Sequence, residues 1–471
     1  MNTPTDTYVR IPGESATLFA AALGEDTEGT VVLPGDADWD TARTPWQLGV
    51  DQRPVAVVLA RSPDDVARTV RAAGEVGLRV APQSTGHNAN PLGPLDDTVL
   101  LRTAGLGGVE IDVERRAARV GAGVVWGEVS DAAAEVGLAA LAGSARDVGV
   151  VGYSLGGGVS WLARSHGLAT NQILAVEIVT ADGRLRRVDS DHDPDLFWAV
   201  RGGGGSFGVV TALELRLFPI REVVAGTLFW PLERAAEVLH TWRRWTATVP
   251  DEVTSIGRLL RFPPVPDIPE PLRGRSLVAV ELASLLDAAA TNDLLTQLRA
   301  LGPEMDTVGP TPVEQLAQLH MDPPGPVPVT GDGLQLDALP DSALDAYLDV
   351  VGPGTDMPLL TTELRHLGGA LVRGRIEGGA VSGLDGQFLV YSGGITPDAG
   401  SAAAAHVALD AIASALAPWS AGALYGNFSE SPRPAAALYA ADTLERLRQV
   451  KAAHDPHDRI RANHPIPPAG S

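Results

Sequence analysis

Three glycine-rich stretches of the chain combine backbone freedom with polar side chains, a combination that suits phosphate and cofactor binding. They are Pro82–Asn88, Val148–His166 and Arg201–Val210. In the first, Gly86 lets the backbone come close to a ligand, and successive amides in such a turn can cradle a pyrophosphate. His87 follows directly, so this stretch predicts an anion cradle with an imidazole beside it.

The third stretch contains a formal dinucleotide fingerprint, G-x-G-x-x-G, at Gly203, Gly205 and Gly208. A true fingerprint runs strand, glycines, helix, because the pyrophosphate has to meet the N-terminus of that helix. Here a helical segment, Asp195–Val200, precedes the glycines, and an alternating strand, Val209–Phe218, follows them. The order is reversed, and the sequence therefore argues against a Rossmann site.

The second stretch contains a formal nucleophile elbow, G-x-S-x-G, over Gly152–Gly156. The apolar run Val148–Val151 fits a strand and Val159–His166 fits a helix, which is the context that an elbow requires. A serine hydrolase with Ser154 as its nucleophile is therefore an alternative from a different class.

This hydrolase interpretation is the weaker one. Such an enzyme needs a downstream acid and a histidine, for which the sequence offers His454 or His464. No HGGG-type oxyanion element precedes the serine, and glycine continues through Gly157 and Gly158, where the helix of a hydrolase begins to pack. A tight glycine turn beneath a ligand is the better interpretation.

Two other polar sets are assigned to structure rather than to chemistry. Glu363, Arg365 and His366 lie on one predicted strand and are typical of the polar face of a sheet. The run His454-Asp455-Pro456-His457-Asp458 invites a metal, but it follows a helix, where such residues commonly cap and solvate the helix end. We therefore expect no metal site.

Composition narrows the classes of function. The 471 residues carry a formal charge of -22, so neither nucleic acid nor an anionic membrane is expected as a partner. The chain has no cysteine, which excludes disulfides, thiolate catalysis and Cys-ligated zinc. Met1 to Glu14 is polar and shows no secretory signal. The expectation is a cytoplasmic protein that is a monomer or a homodimer.

The first half of the chain reads as short strands and helices of α/β type. Val55–Ala60 and Leu78–Ala81 are predicted strands on either side of a helix. That helix begins at Ser62-Pro63-Asp64-Asp65, with a hydroxyl cap, proline in the first turn and carboxylates at the positive helix end. Ile173–Thr180 and Arg184–Val188 predict a hairpin, and Trp126–Glu135 predicts a helix.

After Pro219 the pattern changes, and proline-rich connectors separate longer elements. The predicted helices are Leu232–Thr246, Asp287–Leu301, Ser342–Val350, Asp398–Leu416 and Leu444–Ala453. The predicted strands are Ser276–Leu282, Thr361–Arg365 and Gln387–Tyr391. This change predicts a second domain that begins near residue 220.

Taken in order, these motifs resemble the flavoprotein family of vanillyl-alcohol oxidase and p-cresol methylhydroxylase, in its berberine-bridge-enzyme-like branch. The resemblance rests on S-T-G-H at 84–87, V-G-V-V-G-Y-S-L-G-G-G at 148–158, V-T-A-D-G at 179–183, D-L-F-W-A-V-R-G-G-G-G-S-F-G-V-V-T at 195–211 and Y-G-N-F at 425–428. Each segment is weak alone, whereas the ordered set is specific and spans most of the chain.

The resemblance implies an α+β fold with two domains. One is a split FAD-binding domain of the p-cresol-methylhydroxylase (PCMH) type, and the other is a substrate domain of antiparallel sheet plus helices. The expected boundaries are 1–219 for the N-terminal part of the FAD-binding domain and 220–420 for the substrate domain. A C-terminal segment, 421–471, is expected to return to the FAD-binding domain.

His87 occupies the position of the histidine that bonds to the flavin 8α-methyl in similar proteins. Many relatives add a second bond from a cysteine, whose position is taken here by Ala145. The resemblance therefore implies FAD held covalently through a single histidine. Thr85 departs from the family pattern, in which glycine is usual. The other residues implied in cofactor binding are Gln83, Ser84, Thr85, Gly86, Asn88, Val148, Gly149, Gly152, Tyr153, Ser154, Gly157, Gly158, Gly208, Val210 and Asn427.

A flavin enzyme also needs a group that takes the proton of the substrate's O–H or N–H. By the resemblance, Tyr425 is the first candidate for this catalytic base. Tyr391 is the second, because it ends a predicted strand of the substrate domain, where alternation can point it into the cavity. Val148 stands where relatives with valine react with oxygen, so an oxidase that forms H₂O₂ is expected. The expected substrate is a secondary-metabolite alcohol or phenol, including one that undergoes oxidative cyclisation. A hydroxynicotine-type amine and a sugar are the alternatives.

Overall fold

Three β-sheets organise the part of the chain that the computed structural model describes, residues 12–24, 27–374 and 378–470. The polar N-terminal segment, Met1 to Glu14, lies almost wholly outside those residues. The first sheet has the order β1-β2-β4-β3, with β2, β4 and β3 parallel and β1 antiparallel at one edge. Its strands are β1 (Thr30–Val32), β2 (Ala56–Leu59), β3 (Arg79–Gln83) and β4 (Thr98–Arg102).

Helix α3 shows why the predicted strand–helix–strand unit forms. The helices of this part are α1 (Pro12–Leu23), α2 (Trp39–Arg43) and α3 (Pro63–Glu75). The backbone N–H of Asp65 donates to the Ser62 hydroxyl, and the Asp65 carboxylate accepts from the Ser62 N–H in return, which is a capping box. Val66 and Val70 are fully buried against the sheet, as the apolar spacing predicts.

The second sheet is antiparallel, in the order β5-β6-β9-β7-β8. Its strands are β5 (Val109–Asp112), β6 (Ala117–Gly121), β7 (Ile173–Val179), β8 (Leu185–Val188) and β9 (Val209–Arg216). The helices between them are α4 (Trp126–Glu135), α5 (Val150–Leu155), α6 (Ala163–His166) and α7 (Pro194–Gly203). One apolar core joins this sheet to the first, and the two together form the N-terminal part of the fold.

The third sheet is antiparallel, in the order β13-β10-β12-β11-β16-β17-β15, with β14 also paired to β10. Its strands are β10 (Glu222–Pro231), β11 (Val253–Arg261), β12 (Ser276–Ser284), β13 (Met305–Asp306), β14 (Gly309–Pro312), β15 (Val329–Leu336), β16 (Thr361–His366) and β17 (Phe388–Ile395). The helices of this part are α8 (Ala235–Thr246), α9 (Ala288–Arg299), α10 (Asp341–Val351), α11 (Ala370–Arg373) and α12 (Ala399–Leu416).

Alternation along the strands assigns the two faces of this sheet. Leu259, Val280, Leu364 and Val390 point to one side, where they pack with residues of α8, α9, α10 and α12. Their sequence neighbours therefore point to the other side, toward the N-terminal part. Of the described helices, α12 is long and apolar enough by composition to cross a membrane, but its buried residues pack into this core.

The C-terminal helix α13 (Ala441–His454) and the residues after it attach to the N-terminal part. The backbone N–H of Val80 on β3 donates to the Arg459 carbonyl at 2.8 Å, and the Arg461 N–H donates to the Val80 carbonyl at 2.9 Å. Lys451 is fully buried and donates to Asp455 at 2.6 Å and to the Ser206 carbonyl at 2.7 Å. The aspartate of the predicted histidine–aspartate run therefore anchors the tail.

One local prediction was wrong, and several strands were not predicted. Val148–Val151 was predicted to be a strand, but Val150 opens helix α5, because a short apolar run fits a buried helix as well as a strand. Strands β10, β11 and β15 were not predicted. In β15, Gly331 and Gly333 weaken the strand signal, and pairing with β17 decides the structure instead.

Candidate active site

A cavity of about 800 Å³ lies between the N-terminal part and the third sheet. Its size is in the range of ligand-binding sites. One wall is made by the loop after β3, by the start of α5 and by the glycines after α7; the other wall is made by β11, β16 and β17. The loop that contains Tyr425 closes one side.

Glycine keeps the first wall open. At Gly152 and Gly204, an added Cβ would meet no protein atom within 4 Å, so the space in front of these residues belongs to the cavity. Gly204 has φ +70°, in the left-handed region that favours glycine. The stretch that was rejected as a Rossmann fingerprint therefore does line a ligand-sized space, although helix α7 precedes it and strand β9 follows it.

Most of the predicted site residues line this one cavity. They are Gln83, Ser84, Thr85, Gly86, His87, Asn88, Val148, Gly149, Gly152, Tyr153, Gly208, Val210, Tyr391, Tyr425 and Asn427. Ser154, Gly157 and Gly158 do not line it. Ser154 is fully buried in the core, and the two glycines pack against the rings of Tyr425 and Tyr153.

His87 is held on three sides. Its Nδ1 lies 2.8 Å from the Thr85 hydroxyl, and its ring stacks on Trp46 at 4.0 Å between centroids. Its Nε2 lies 3.4 Å from a carboxylate oxygen of Asp147. The indole N–H of Trp46 donates to the other oxygen of Asp147 at 2.6 Å. Thr85, the departure from the family pattern, thus contacts the histidine directly.

Trp46 and Asp147 were not predicted from the sequence. The segment that carries Trp46 lies along the loop after β3, and the backbone N–H of Trp46 donates to the Thr85 carbonyl at 2.9 Å. Burial raises the pKa of the Asp147 carboxyl, but the adjacent His87 imidazole and the hydrogen bond from Trp46 outweigh this effect, and the net shift is downward. Asp147 directly precedes the Val148-Gly149 motif, which is the one signal that could have found it.

Tyr425 and Tyr391 differ in what their hydroxyls do. The Tyr425 oxygen accepts from the Gly158 N–H at 2.8 Å and from the Asn427 amide at 3.1 Å. The Tyr391 hydroxyl instead donates to the Glu430 carboxylate at 2.5 Å. Burial raises the pKa of both tyrosines, so both are neutral phenols near neutral pH.

Glu430 was also missed by the sequence analysis. Its side chain lines the cavity, and burial, together with the nearby Asp332, raises its pKa to about 6 despite the hydrogen bond from Tyr391. Gly331 and Gly393, paired across β15 and β17, make room for this contact, because a Cβ on either would lie within 3.2 Å of the Tyr391 hydroxyl.

Comparison with known proteins assigns a family model to the part of the chain that contains the first two glycine-rich stretches. Residues 54–189 match the family model of an FAD binding domain. The chain carries an FAD-binding domain. It is 38% identical to (R)-6-hydroxynicotine oxidase of Paenarthrobacter nicotinovorans over 204 residues, which are 43% of this chain and 44% of that protein. The chain thus matches about half or less of the length of such curated relatives.

The whole fold of this FAD-binding protein matches solved structures over nearly the full length of each chain. The structure of 6-hydroxy-D-nicotine oxidase from Arthrobacter nicotinovorans has a TM-score of 0.78 and 26% identity, covering 93% of this chain and 97% of that one. The berberine-bridge-enzyme-like protein 1 of Physcomitrella patens has a TM-score of 0.82 and 21% identity, covering 96% and 99%. The predicted resemblance and the predicted α+β fold are confirmed.

The cavity of the FAD-binding protein fits a large polar cofactor. Four buried polar atoms on its walls have no hydrogen-bond partner among the described residues, namely the Ser84 hydroxyl, His87 Nε2, the Asn88 side-chain oxygen and the Tyr153 hydroxyl. Buried polar groups normally have hydrogen-bond partners, so these atoms are available to bind a polar ligand. Together with the glycine cradle, they provide the hydrogen-bonding groups and the space that an FAD requires.

The hydrolase alternative is wrong for this structure. Ser154 sits inside helix α5 rather than on a strand-to-helix turn, and its hydroxyl is fully buried and has no hydrogen-bond partner among the described residues. His464 instead contacts the carbonyls of Gly426 and Ser429, and His454 lies near Asp193. Ser154 therefore has neither an adjacent base nor access to a substrate.

Proposed function

We propose that this protein is an FAD-dependent oxidase that oxidises a small organic substrate and holds its FAD covalently through His87. One observation carries the proposal: the imidazole of His87, the glycine cradle and the Tyr391–Glu430 pair line the same cavity. His87 would serve as the cofactor anchor and the Tyr391–Glu430 pair as the proton acceptor, on opposite walls of a space large enough for a cofactor and a substrate.

The surroundings of His87 support its role as the attachment residue. A nucleophilic imidazole has to be oriented and must keep one nitrogen available. Nδ1 is occupied by the Thr85 hydroxyl at 2.8 Å, whereas the buried Nε2 has no hydrogen-bond partner among the described residues. Nε2 is therefore the nitrogen that we expect to carry the bond.

The Tyr391–Glu430 pair is the proton acceptor that we propose. A bound flavin supplies a hydride acceptor for a substrate carbon. As the substrate's O–H or N–H loses its proton to the Tyr391 oxygen, the Tyr391 proton passes to the Glu430 carboxylate along their 2.5 Å contact. Tyr425 fits this role less well, because its oxygen already accepts two hydrogen bonds. We assign Tyr425 to positioning, with Asn427.

An apolar substrate and molecular oxygen complete the proposal. Val148 lines the cavity, and by the family resemblance valine at this position allows oxygen to react. The substrate side of the cavity includes apolar residues, namely Leu260, Phe262, Met321, Leu360 and Ile395. This lining supports the secondary-metabolite alcohol or phenol, including oxidative cyclisation, over a sugar, which needs many hydrogen-bonding partners.

Amine oxidation is the second candidate, and the 38% identity to (R)-6-hydroxynicotine oxidase favours it. The match covers 43% of this chain, so it speaks for the cofactor more than for the substrate. A protonated amine would also face Arg258 and Arg365, whose side chains line the substrate wall. We therefore rank it second.

The cofactor proposal is tested on the purified protein. We expect a yellow protein whose colour stays with the chain after acid denaturation and whose band fluoresces in a denaturing gel. In His87→Ala, the flavin should be released by acid. His192→Ala is the matched control, because His192 is an exposed surface histidine. Flavin that stays attached in His87→Ala, or a wild-type protein without flavin, would refute the proposal.

The reaction is tested with a panel of phenolic and benzylic alcohols, secondary amines and oligosaccharides. We expect anaerobic bleaching of the flavin by members of the first group and stoichiometric H₂O₂ when air is admitted. Bleaching by the amines alone would select the second candidate. Bleaching without peroxide would identify a dehydrogenase.

A further inference from the structure

Five charged side chains meet on the face of the third sheet that borders the cavity. Glu281 binds both Arg258 Nη1 at 2.9 Å and His320 Nδ1 at 2.5 Å. Glu363 lies 2.9 Å from His320 Nε2 and 2.7 Å from Arg365 Nη2. Glu363 and Arg365 were predicted to belong to the polar face of a sheet, and they do lie on such a face, but it is covered rather than open to solvent: Glu363 is fully buried.

The cluster is ordered by depth. Glu281 and Glu363 are fully buried and do not line the cavity, whereas Arg258, His320 and Arg365 do. Two carboxylates therefore lie within the sheet, and three cationic groups lie in front of them. The positive side of the cluster is the side that a ligand meets.

The cluster favours the charged forms of its two carboxylates and of its imidazole. Burial and Arg258 act to lower the pKa of His320, but Glu281 and Glu363 overcome them and raise it to about 9. The pKa of Glu363 is shifted well below its usual range, because its cationic neighbours outweigh burial. Three cations against two carboxylates leave one positive charge in excess. Arg365 Nη2 also lies 3.3 Å from His320 Nε2, so two cations are crowded together.

Three other acidic groups near the cluster have hydrogen-bond or ion-pair partners of their own. Asp322 lines the same cavity, and its carboxylate accepts from the Ser144 hydroxyl at 2.7 Å. Asp332 pairs with Arg433. Glu430 accepts from Tyr391, and its pKa is raised. The Asp322 carboxylate also acts electrostatically on His320 and Arg365, so it offsets the excess positive charge of the five-residue cluster. It has no hydrogen bond to Arg365 among the described residues, so it leaves the open edge of that guanidinium available to a ligand.

Arg365 lines the cavity and has one donor that the cluster does not use. Its Nε and Nη2 both bind Glu363, and its guanidinium lies over the Phe428 ring, 4.8 Å from the ring centroid. Nη1 has no hydrogen-bond partner among the described residues, and 13% of the side chain remains exposed. A guanidinium fixed on one edge and stacked on an aromatic ring presents its other edge in a defined direction, which suits a carboxylate.

We propose that the substrate of this site carries a carboxylate on an apolar skeleton, and that Arg365 binds that carboxylate with Arg258 and His320 behind it. The proposal rests on the proposed function, because it concerns the substrate of the same cavity. A buried charged cluster contributes little net stability compared with apolar residues of the same volume. A carboxylate ligand would instead bind the edge of Arg365 that Glu363 leaves open.

The test uses benzoate and benzamide, which have nearly the same shape and differ in charge, with the flavin-loaded protein in a calorimeter. We expect benzoate to bind at least tenfold more tightly than benzamide. Arg365→Gln should abolish this preference. Arg365→Lys, which keeps the charge and loses the fork, should reduce it. Arg261→Gln is the control, because Arg261 lies on the same sheet and binds the Val351 carbonyl instead.

Each outcome decides a separate question. A colourless preparation refutes the proposed function before any titration. A yellow protein that binds both probes equally, or neither, overturns the carboxylate assignment and leaves the flavin proposal intact. If Arg365→Gln does not fold, the two probes are compared on the wild-type protein and on Arg365→Lys. A preference for benzoate over benzamide that is the same in both proteins, or absent from both, overturns the assignment.

Discussion

At the scale of single residues, the contact between Tyr391 and Glu430 links a neutral phenol to a carboxyl that titrates near physiological pH. A phenol alone is a poor proton acceptor, since its conjugate acid is very strong. In the proposed mechanism, the carboxylate behind it supplies the basicity, and the phenol extends into the cavity to contact the substrate. This division of labour depends on Glu430 being ionised, which has a consequence for pH.

The rate of substrate oxidation should rise with pH through about 6. Burial raises the pKa of Glu430 to about 6, so below this pH the group is protonated and accepts no proton from Tyr391. Tyr391→Phe should slow flavin reduction by about 10²–10⁴-fold, the usual contribution of general base catalysis. Stopped-flow absorbance of the flavin over a pH series measures both effects.

Glu430→Gln separates catalysis from structure in this prediction. It keeps the shape of the side chain and should remove the acidic limb of the pH profile while lowering the rate throughout. Tyr347→Phe is the control, because Tyr347 is a buried tyrosine in the helix-covered core behind the same sheet. A pH profile that is unchanged in Glu430→Gln would assign the base elsewhere, with Tyr425 next in line.

Asp147 and Trp46 should control how much flavin becomes covalently bound. Asp147 lies 3.4 Å from His87 Nε2, and Trp46 holds both the imidazole and the carboxylate. Asp147→Asn and Trp46→Leu should each lower the covalent fraction, with Trp46→Leu the more severe because it removes the stack as well. Gel fluorescence against total flavin absorbance gives this fraction.

The control for this experiment is Asp131→Asn, since Asp131 is an exposed carboxylate paired with Arg146. A full covalent fraction in both test variants would mean that Thr85 alone orients His87. Thr85→Val would then be the informative variant, because it removes the hydroxyl that contacts Nδ1.

At the scale of elements, the C-terminal tail is held by one buried cation. Lys451 is the only lysine of the chain, and it is fully buried with Asp455. Lys451→Met should cost about 3–5 kcal/mol of unfolding free energy, because it leaves the Asp455 carboxylate buried without its partner. Denaturant unfolding measures the loss, and amine labelling of Lys451 in the wild-type protein reports release of the tail directly.

Arg446→Met is the matched control on the same helix. Arg446 is about half exposed and pairs with Asp195, so its loss should cost no more than about 1 kcal/mol. Equal losses for the two variants would show that the tail does not depend on the buried pair.

Elements with strong local signals were predictable, and elements decided by distant pairing were not. Helix α4 was predicted at its observed bounds, Trp126–Glu135, and the capping box at Ser62 was visible in four residues. Strand β15 was missed because its glycines lower its strand propensity. Its structure comes from pairing with β17, which lies far along the chain.

At the scale of the whole molecule, the same distinction applies to the two walls of the cavity. The glycine wall consists of short contiguous motifs, so their order was enough to predict it. The substrate wall brings together Arg258, Glu363 and Tyr391 as cross-strand neighbours on β11, β16 and β17. The period of two places alternate residues on one face, but the sequence does not say that the N-terminal part covers that face. Arg365 was therefore assigned to the polar face of a sheet and not to a binding site.

Residues of both the N-terminal part and the third sheet line the cavity. A bound cofactor should therefore stabilise both parts against unfolding. In His87→Ala the flavin is expected to be removable, so the protein without flavin can be titrated with FAD. A ligand that binds only the folded state adds about 2.7 kcal/mol at a concentration of 100 Kd. We expect the thermal midpoint to rise with the logarithm of FAD concentration and the two parts to unfold in one transition. Added FMN should do less, since it lacks the adenylate half of FAD and therefore makes fewer contacts with the cavity. A transition that splits in two, with one step insensitive to FAD, would mean that the cofactor rests on the N-terminal part alone and that the substrate sheet closes the cavity without contributing to its binding.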